Sequence, residues 1–175
     1  MAHAIVGLVR PVSKGDPKIR NKVYVGLANV RQVPQVKLIA DQNRRHLGFL
    51  TSSELTGAAK RGTLLIATVD TEIIGFLNFW FRRDSIATIY TICVALDHQR
   101  TGVGRVLLGE LARLARGAGM NTLRLKCPVD EGANSFYARM GFQCLQVIQG
   151  RRRRLNVWER LLQVPSKTSA PDDRL

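Results

Sequence analysis

Val94-Ala-Leu-Asp-His-Gln-Arg-Thr-Gly-Val-Gly-Arg105 is the stretch that decides how the chain is read. It closes an apolar run, Ile86 to Leu96, and leads into a segment with helical periodicity. Between the two lies a polar turn ending on Gly102 and Gly104. A strand that runs into a glycine turn and then a helix is a way to hold phosphate. The first backbone N–H groups of a helix lack internal partners, and the helix dipole adds positive potential there. Glycine has no Cβ to keep a ligand away from the backbone. Arg100 and Arg105 add two formal charges beside the turn. The dinucleotide pattern G-x-G-x-x-G is absent, because Leu107 stands where its last glycine belongs, and no Walker pattern occurs.

Downstream, the spacing predicts a helix from about Gly102 to Arg116. Leu107, Leu111, Leu114 and Ala118 recur on one face with Leu108, Ala112 and Ala115 beside them, and Glu110, Arg113 and Arg116 line the other. The apolar stripe reads as core packing, and Gly117 and Gly119 end the helix. Thr122 to Cys127 reads as a short strand with Leu123 and Leu125 on one face. Pro128 and Gly132 punctuate a loop, a short helix runs to about Met140, and Gln143–Gln149 and Leu155–Leu162 form a hairpin across Gly150-Arg-Arg-Arg-Arg154. Upstream, Thr63–Val69, Ile73–Phe81 and Ile86–Ala95 form a meander with turns at Asp70–Glu72 and Arg82–Ser85. Before it, Val23–Val30 is the first strand. Pro34 opens a helix carrying Val36, Ile39 and Ala40 on one face. Thr51-Ser-Ser-Glu54 is a capping box before a helix that Gly62 ends. His46 reads as a loop or core residue with nothing to pair with it. Residues 1–22 form an N-terminal arm, residues 23–163 one domain, and residues 164–175 a polar tail expected to be disordered.

Gln99-Arg-Thr-Gly-Val-Gly104 resembles the Q/R-x-x-G-x-G/A pyrophosphate loop of the GNAT acyltransferases, and Asn134-Ser-Phe-Tyr-Ala-Arg-Met-Gly-Phe142 resembles that family's second signature. The two stand in family order, and the resemblance covers roughly Val23 to Leu162. It implies an α/β fold with a mixed central sheet of about six or seven strands flanked by helices. It implies transfer of an acetyl group from acetyl-coenzyme A to an amine. Backbone around Val94 would pair with the pantetheine arm and polarise the thioester carbonyl, and Cys93 stands one residue before it with a side chain that strand alternation need not turn to the cofactor. Gln99, Arg100, Thr101, Gly102, Val103, Gly104 and Arg105 would hold the pyrophosphate. Asp130 stands seven residues before Tyr137, where many relatives place an Asn that contacts coenzyme A, and Asn134 is the alternative for that contact.

Tyr137 would donate a proton to the departing thiolate; the alternative is a packed aromatic beside Phe136. With a thiol near 8.5 and a phenol near 10, the transfer is uphill by roughly 2 kcal/mol, which suits an assisting acid. The usual general-base Glu has no counterpart, since its positions correspond to Thr91 and to Leu125 or Lys126. A water chain, Asp130 or Glu131 would have to accept the amine proton.

Composition bounds the rest. At 175 residues the chain is a single-domain length, with an ordinary hydrophobic fraction of 45%. The formal charge of +14 and a pI near 10.8 suggest a polyanionic partner. Cys93, Cys127 and Cys144 each sit in an apolar run and read as buried small side chains. No Cys/His spacing suggests a metal, and no run is long enough to span a membrane. A cytoplasmic enzyme acting on an amine of a small molecule or protein is expected. Two alternatives draw on the charge and on Arg151–Arg154: a nucleic-acid-binding module of the same fold, and an acyltransferase whose acceptor is RNA-bound. A homodimer stays open.

Overall fold

The computed structural model describes residues 10–11 and 22–162. The elements, in chain order, are β1 (Arg10–Pro11), β2 (Val23–Leu27), α1 (Val33–Gln42), α2 (Arg44–Leu47), α3 (Ser52–Lys60), β3 (Leu64–Val69), β4 (Glu72–Phe81), β5 (Ile86–Val94), α4 (Val103–Gly117), β6 (Thr122–Pro128), α5 (Ala133–Arg139), β7 (Gln143–Gln149) and β8 (Arg154–Leu161). The strands make one sheet in the order β1-β2-β3-β4-β5-β6-β8-β7. Every neighbouring pair is antiparallel except β5 and β6. The mixed sheet expected from the sequence is therefore present, as seven strands of ordinary length plus a two-residue pairing at one edge. Of the N-terminal arm only Arg10–Pro11 and Lys22 are described, and the tail from 164 lies outside the described residues.

Strand alternation supplies both faces of the sheet with apolar side chains. Leu65 and Ala67 of β3 and Ile74 and Leu77 of β4 pack on one side with Val103, Leu107, Leu108, Leu111, Ala112 and Ala115 of α4. Leu64 and Ile66, then Ile73 and Phe76, pack on the other side with Val33, Val36 and Ile39 of α1 and Leu55 and Ala58 of α3. Each fully buried leucine of α4 stabilises by about 1.5–3 kcal/mol, which fixes the helix whose N-terminus matters below. Pro34 sits in the first turn of α1 as its fixed φ requires. At α3 the capping box forms: Glu54 N–H donates to Thr51 Oγ1 at 3.1 Å and Thr51 N–H donates to Glu54 Oε2 at 2.7 Å.

Three details differ from the sequence reading. The strand expected over Val23–Val30 is β2 and stops at Leu27, because the chain turns at Asn29 into a 3-10 turn, Val30–Gln32. Ala118 is the exposed C-cap of α4, outside its buried stripe. Cys144 is exposed, since β7 is the sheet's last strand and most of its residues face solvent, whereas Cys93 and Cys127 are buried as expected.

Candidate active site

The single parallel pairing is short. β5 and β6 pair from Ile86↔Thr122 to Ile89↔Leu125, and then part. β5 continues to Val94 and β6 to Pro128 with no register between them, so a wedge opens between the two strands. The parting coincides with a bulge. Phe79 pairs with Ile89 and Asn78 with Thr91, which leaves Tyr90 as the extra residue. An extra residue bends and twists its strand, and it also inverts side-chain phase. Ala87 and Ile89 face the α4 side before it, and Ile92 and Val94 do so after it. Cys93 consequently packs on the α1–α3 side.

Val94 is placed by backbone logic. Ala95 N–H donates to Ile74 O at 2.9 Å, so Ala95 is the residue bonded to β4. Antiparallel alternation then turns the N–H and C=O of Val94 away from β4 and toward the wedge. Its carbonyl accepts from Gln99 Nε2 at 3.3 Å, and its N–H is directed at the open side. Gly75, opposite Val94, makes this close approach feasible: a Cβ there would lie 2.9 Å from Cys93 O and 3.2 Å from Val103 Cγ1.

The turn after β5 has the geometry of an anion cradle. Thr101 Oγ1 donates to His98 O at 2.6 Å, and Arg100 takes φ 61°. Gly102, the N-cap of α4, takes φ 95°, a conformation that costs a side-chain-bearing residue roughly 1–2 kcal/mol. No side chain caps this helix and its first turn holds no acidic residue. Val106 N–H already reaches Gly102 O at 3.1 Å, so the N–H groups of Val103, Gly104 and Arg105 are the helix's unsatisfied donors. Val103 is buried and anchors the turn, while Gln99, Arg100 and Arg105 are exposed around it. Gln99 Nε2 also donates to Asn43 Oδ1 at 3.3 Å, which ties the turn to the corner between α1 and α2. Gly104 serves packing: a Cβ there would stand 3.1 Å from Phe136 Cζ.

Phe136 couples the turn to Tyr137. The Tyr137 ring lies 5.4 Å from Phe136, 5.9 Å from Phe142 and 6.4 Å from Trp158, centroid to centroid. It shares a core cluster with Cys127, which lies on β6 beyond the last β5–β6 pair, at the wall of the wedge. Tyr137 is buried, yet its hydroxyl makes no hydrogen bond among the described residues and is not a sealed, unsatisfied atom. The oxygen therefore reaches open space. Burial, and after it the neighbouring Cys127, pushes the phenol well above its ordinary value. The Cys127 thiol itself is pushed up to about 11, chiefly by burial.

A sequence model of the acetyltransferase (GNAT) family matches residues 33–142, which contain the Gly102 turn, the wedge and the Tyr137 helix. The chain belongs to the GNAT acetyltransferase family. It is therefore an acyl-coenzyme A-dependent acyltransferase. Solved structures share the fold. Ard1 from Thermoplasma volcanium superposes with TM-score 0.73 at 19% identity, over 81% of this chain and 98% of that one. The PaiA N-acetyltransferase from Thermoplasma acidophilum, in complex with coenzyme A, gives 0.70 at 16%, over 79% and 98%. The ribosomal-protein-S18-alanine N-acetyltransferase from Escherichia coli gives 0.69 at 21%, over 85% and 99%. No curated protein sequence matches the chain at a significant level.

Within this GNAT fold the predicted residues fall into two groups. Val94, the turn Gln99–Arg105 and Tyr137 surround one wedge-and-cradle. Cys93, Asn134 and Asp130 stand apart in their side chains. Cys93 packs on the opposite face, and burial pushes its thiol up to about 12. Asn134 is fully engaged within the chain. Its Nδ2 donates to Pro128 O (2.7 Å), Glu131 O (2.8 Å) and Val129 O (3.3 Å), and its Oδ1 accepts from Trp158 Nε1 (2.8 Å) and Asn156 Nδ2 (3.0 Å). It pins the 128–132 turn to β8 and has no donor left for a ligand. Asp130 is exposed and lies 3.8 Å from Arg153.

One cluster escaped the sequence. Glu131 Oε2 meets His46 Nδ1 at 3.0 Å, and Glu131 Oε1 accepts from Arg153 Nη1 at 3.3 Å. His46, expected to pair with nothing, thus joins α2 to the 128–132 turn and the β7–β8 hairpin. The Cys127 thiol is raised first by burial and then by this carboxylate. His46 and Glu131 are 85 residues apart, and no local pattern marks the pair.

Proposed function

We propose that this GNAT protein transfers acetyl directly from acetyl-coenzyme A to an amine, with Tyr137 as the general acid. The cradle at Gly102 binds the pyrophosphate through the free N–H groups of α4, with Arg100 and Arg105 alongside. The N–H of Val94 is directed to where a thioester carbonyl in the wedge would lie, and it stabilises the charge that develops on that oxygen. The PaiA enzyme, whose fold this chain shares, was solved with coenzyme A bound, which supports this assignment of the cradle. Tyr137 donates its proton to the leaving sulfur.

The observation that carries the reading is the hydroxyl of Tyr137, which sits on a buried ring, lacks a partner among the described residues and opens to space. Burial raises the phenol, which taken alone makes proton transfer harder. The same burial acts on sulfur. Cys127, at the wall of the wedge, rises from 9.0 to about 11, so a thiolate released there is also a stronger base than in water. The two shifts run in the same direction and compensate only in part, so the transfer stays uphill, which suits an assisting acid.

For the opposite proton, the His46–Glu131 pair is the acid–base couple beside the wedge, and imidazole is the side chain suited to proton transfer near neutral pH. Glu131 holds Nδ1, leaving Nε2 to take the amine proton, directly or through water.

The test is single-turnover release of free thiol from acetyl-coenzyme A with a panel of N-terminal peptides and small amines. Tyr137→Phe is expected to slow the chemical step by about 10²–10⁴-fold with cofactor affinity unchanged. Gly102→Val is expected to weaken coenzyme A binding, measured by calorimetry. Full chemical rate in the phenylalanine variant would reduce Tyr137 to a packing residue, and unchanged affinity in the valine variant would remove the cradle.

A further inference from the structure

Arginines stand on both elements that Glu131 joins, forming a basic rim. α2 contributes Arg44 and Arg45, and the β7–β8 hairpin contributes Arg151, Arg152, Arg153 and Arg154, all exposed. These groups lie more than a hundred positions apart in sequence. One carboxylate brings them together: Glu131 touches His46 on α2 through Oε2 and Arg153 on the hairpin through Oε1. Asp130 and Glu131 are the acids at this junction, and both are engaged by Arg153. Arg44 lies over the ring of exposed Phe49 at 5.1 Å. Among the described residues, Arg45, Arg151, Arg152 and Arg154 have no ionic partner.

We propose that this rim binds the phosphodiester backbone of a nucleic acid, which presents the amine acceptor to the site. The inference rests on the acetyltransferase reading and names the carrier of its substrate. Charge complementarity is the first argument. The chain carries 27 Lys and Arg against 13 Asp and Glu, and among the described residues Arg45, Arg151, Arg152 and Arg154 add unpaired cations here. The second is geometry. Four consecutive arginines at a hairpin tip radiate in different directions, so they cannot converge on one carboxylate of a small acidic acceptor. They suit an extended polyanion with a charge at every residue, and the guanidinium fork matches phosphate oxygens. An acidic protein segment is the competing partner, and the experiment is built to reveal it.

The measurement is fluorescence anisotropy of a 20-nucleotide uridine RNA and a matching deoxythymidine strand with the full chain, from 50 to 300 mM KCl. Arg151, Arg152 and Arg154 are changed together to Ser, leaving Arg153 in its contact with Glu131. Each phosphate released from contact on a single strand removes about 0.7 from the log–log salt slope, so the triple variant is expected to flatten it by up to about 2. Arg44→Ser with Arg45→Ser is expected to flatten it by about 1. Arg82→Ser with Arg83→Ser, on the β4–β5 turn at the far end of the sheet, is expected to leave the slope unchanged. Coenzyme A affinity by calorimetry is expected to hold in all three. RNA bound more tightly than the DNA strand identifies RNA as the carrier, and the reverse identifies DNA. Equal slopes in wild type and the triple variant overturn the proposal, as does equal loss in the Arg82–Arg83 control. Equal competition by polyglutamate of matched length also overturns it, in favour of an acidic protein partner. Loss of coenzyme A affinity alone would instead indict the cradle assignment.

Discussion

Asn134→Ala is expected to destabilise the protein by about 2–4 kcal/mol, a large effect for a half-buried residue on a seven-residue helix. The figure comes from its bonds. Trp158 Nε1 belongs to a buried ring and loses its acceptor, at a cost of about 1–3 kcal/mol. Asn156 Nδ2 and the carbonyls of Pro128 and Glu131 also lose partners, but water can replace part of each, leaving about 0.5 kcal/mol or less apiece. For a chain of this length that corresponds to a fall in melting temperature of about 5–15 °C. Urea unfolding followed by fluorescence measures it. Trp158→Phe provides the second edge of a double-mutant cycle: once Asn134 is gone, removing the indole N–H should cost little more, giving a coupling of about 0.5–3 kcal/mol. Activity should fall too, because Asn134 holds the turn that presents Glu131 to His46. A loss below about 0.5 kcal/mol, or strict additivity with Trp158→Phe, would refute the view that Asn134 is a structural staple and return it to the candidates for ligand contact.

Two further outcomes are expected. Gly104→Ala gains up to about 1 kcal/mol of helix propensity, but its Cβ would press Phe136 Cζ at 3.1 Å, and overpacking commonly costs about 1–3 kcal/mol; turnover should therefore fall while stability moves by less than about 2 kcal/mol, and unchanged turnover would sever the link from α4 to Tyr137. Iodoacetamide at pH 8 should label Cys144 in the folded chain and reach Cys93 and Cys127 only after denaturation. Because Cys127 titrates at about 11 when folded against 9.0 when exposed, the unfolded state loses its proton first, so stability should decline as pH rises from 9 to about 11, and Cys127→Ala should flatten that decline.

The legible parts of this protein are those in which local chemistry and tertiary packing agree. The unbroken apolar run Leu64–Ala67 predicts a strand buried on both faces, and the stripe on α4 predicts which face meets it. The Gly102 turn is legible because a left-handed N-cap requires glycine whatever surrounds it. The bulge at Tyr90 has a local trace: Ile89 and Ile92 stand three residues apart yet both meet the α4 side, a spacing a regular strand cannot keep on one face. The role of Asn134 was not legible, because an asparagine near a loop suits a ligand contact and an internal staple equally, and its bonds to Trp158 and Asn156 come from a strand later in the chain. The His46–Glu131–Arg153 cluster joins a helix, a loop and a hairpin through one carboxylate, so it exists only once the sheet order β6-β8-β7 is set.

That sheet order also explains why the chemistry sits where it does. A parallel pair must be joined by a crossover, and here the crossover is α4, whose N-terminus lies at the end of β5 where the strands part. The wedge therefore opens beside a helix terminus with free donors, a left-handed glycine N-cap and no acidic first turn. Had β5 and β6 stayed paired to Val94, the N–H of that residue would be spent on the sheet and Cys127 would face a neighbouring strand. The bulge at Tyr90 costs a ladder register and a residue's worth of pairing, and it converts backbone groups that would hold the sheet together into groups that can hold a ligand. A substitution that regularises β5, such as deletion of Tyr90, should accordingly raise pairing between β5 and β6, invert the side chains from Thr91 to Val94, and abolish coenzyme A binding in a chain that still folds. Retained binding in a folded deletion variant would show that the wedge does not depend on the bulge.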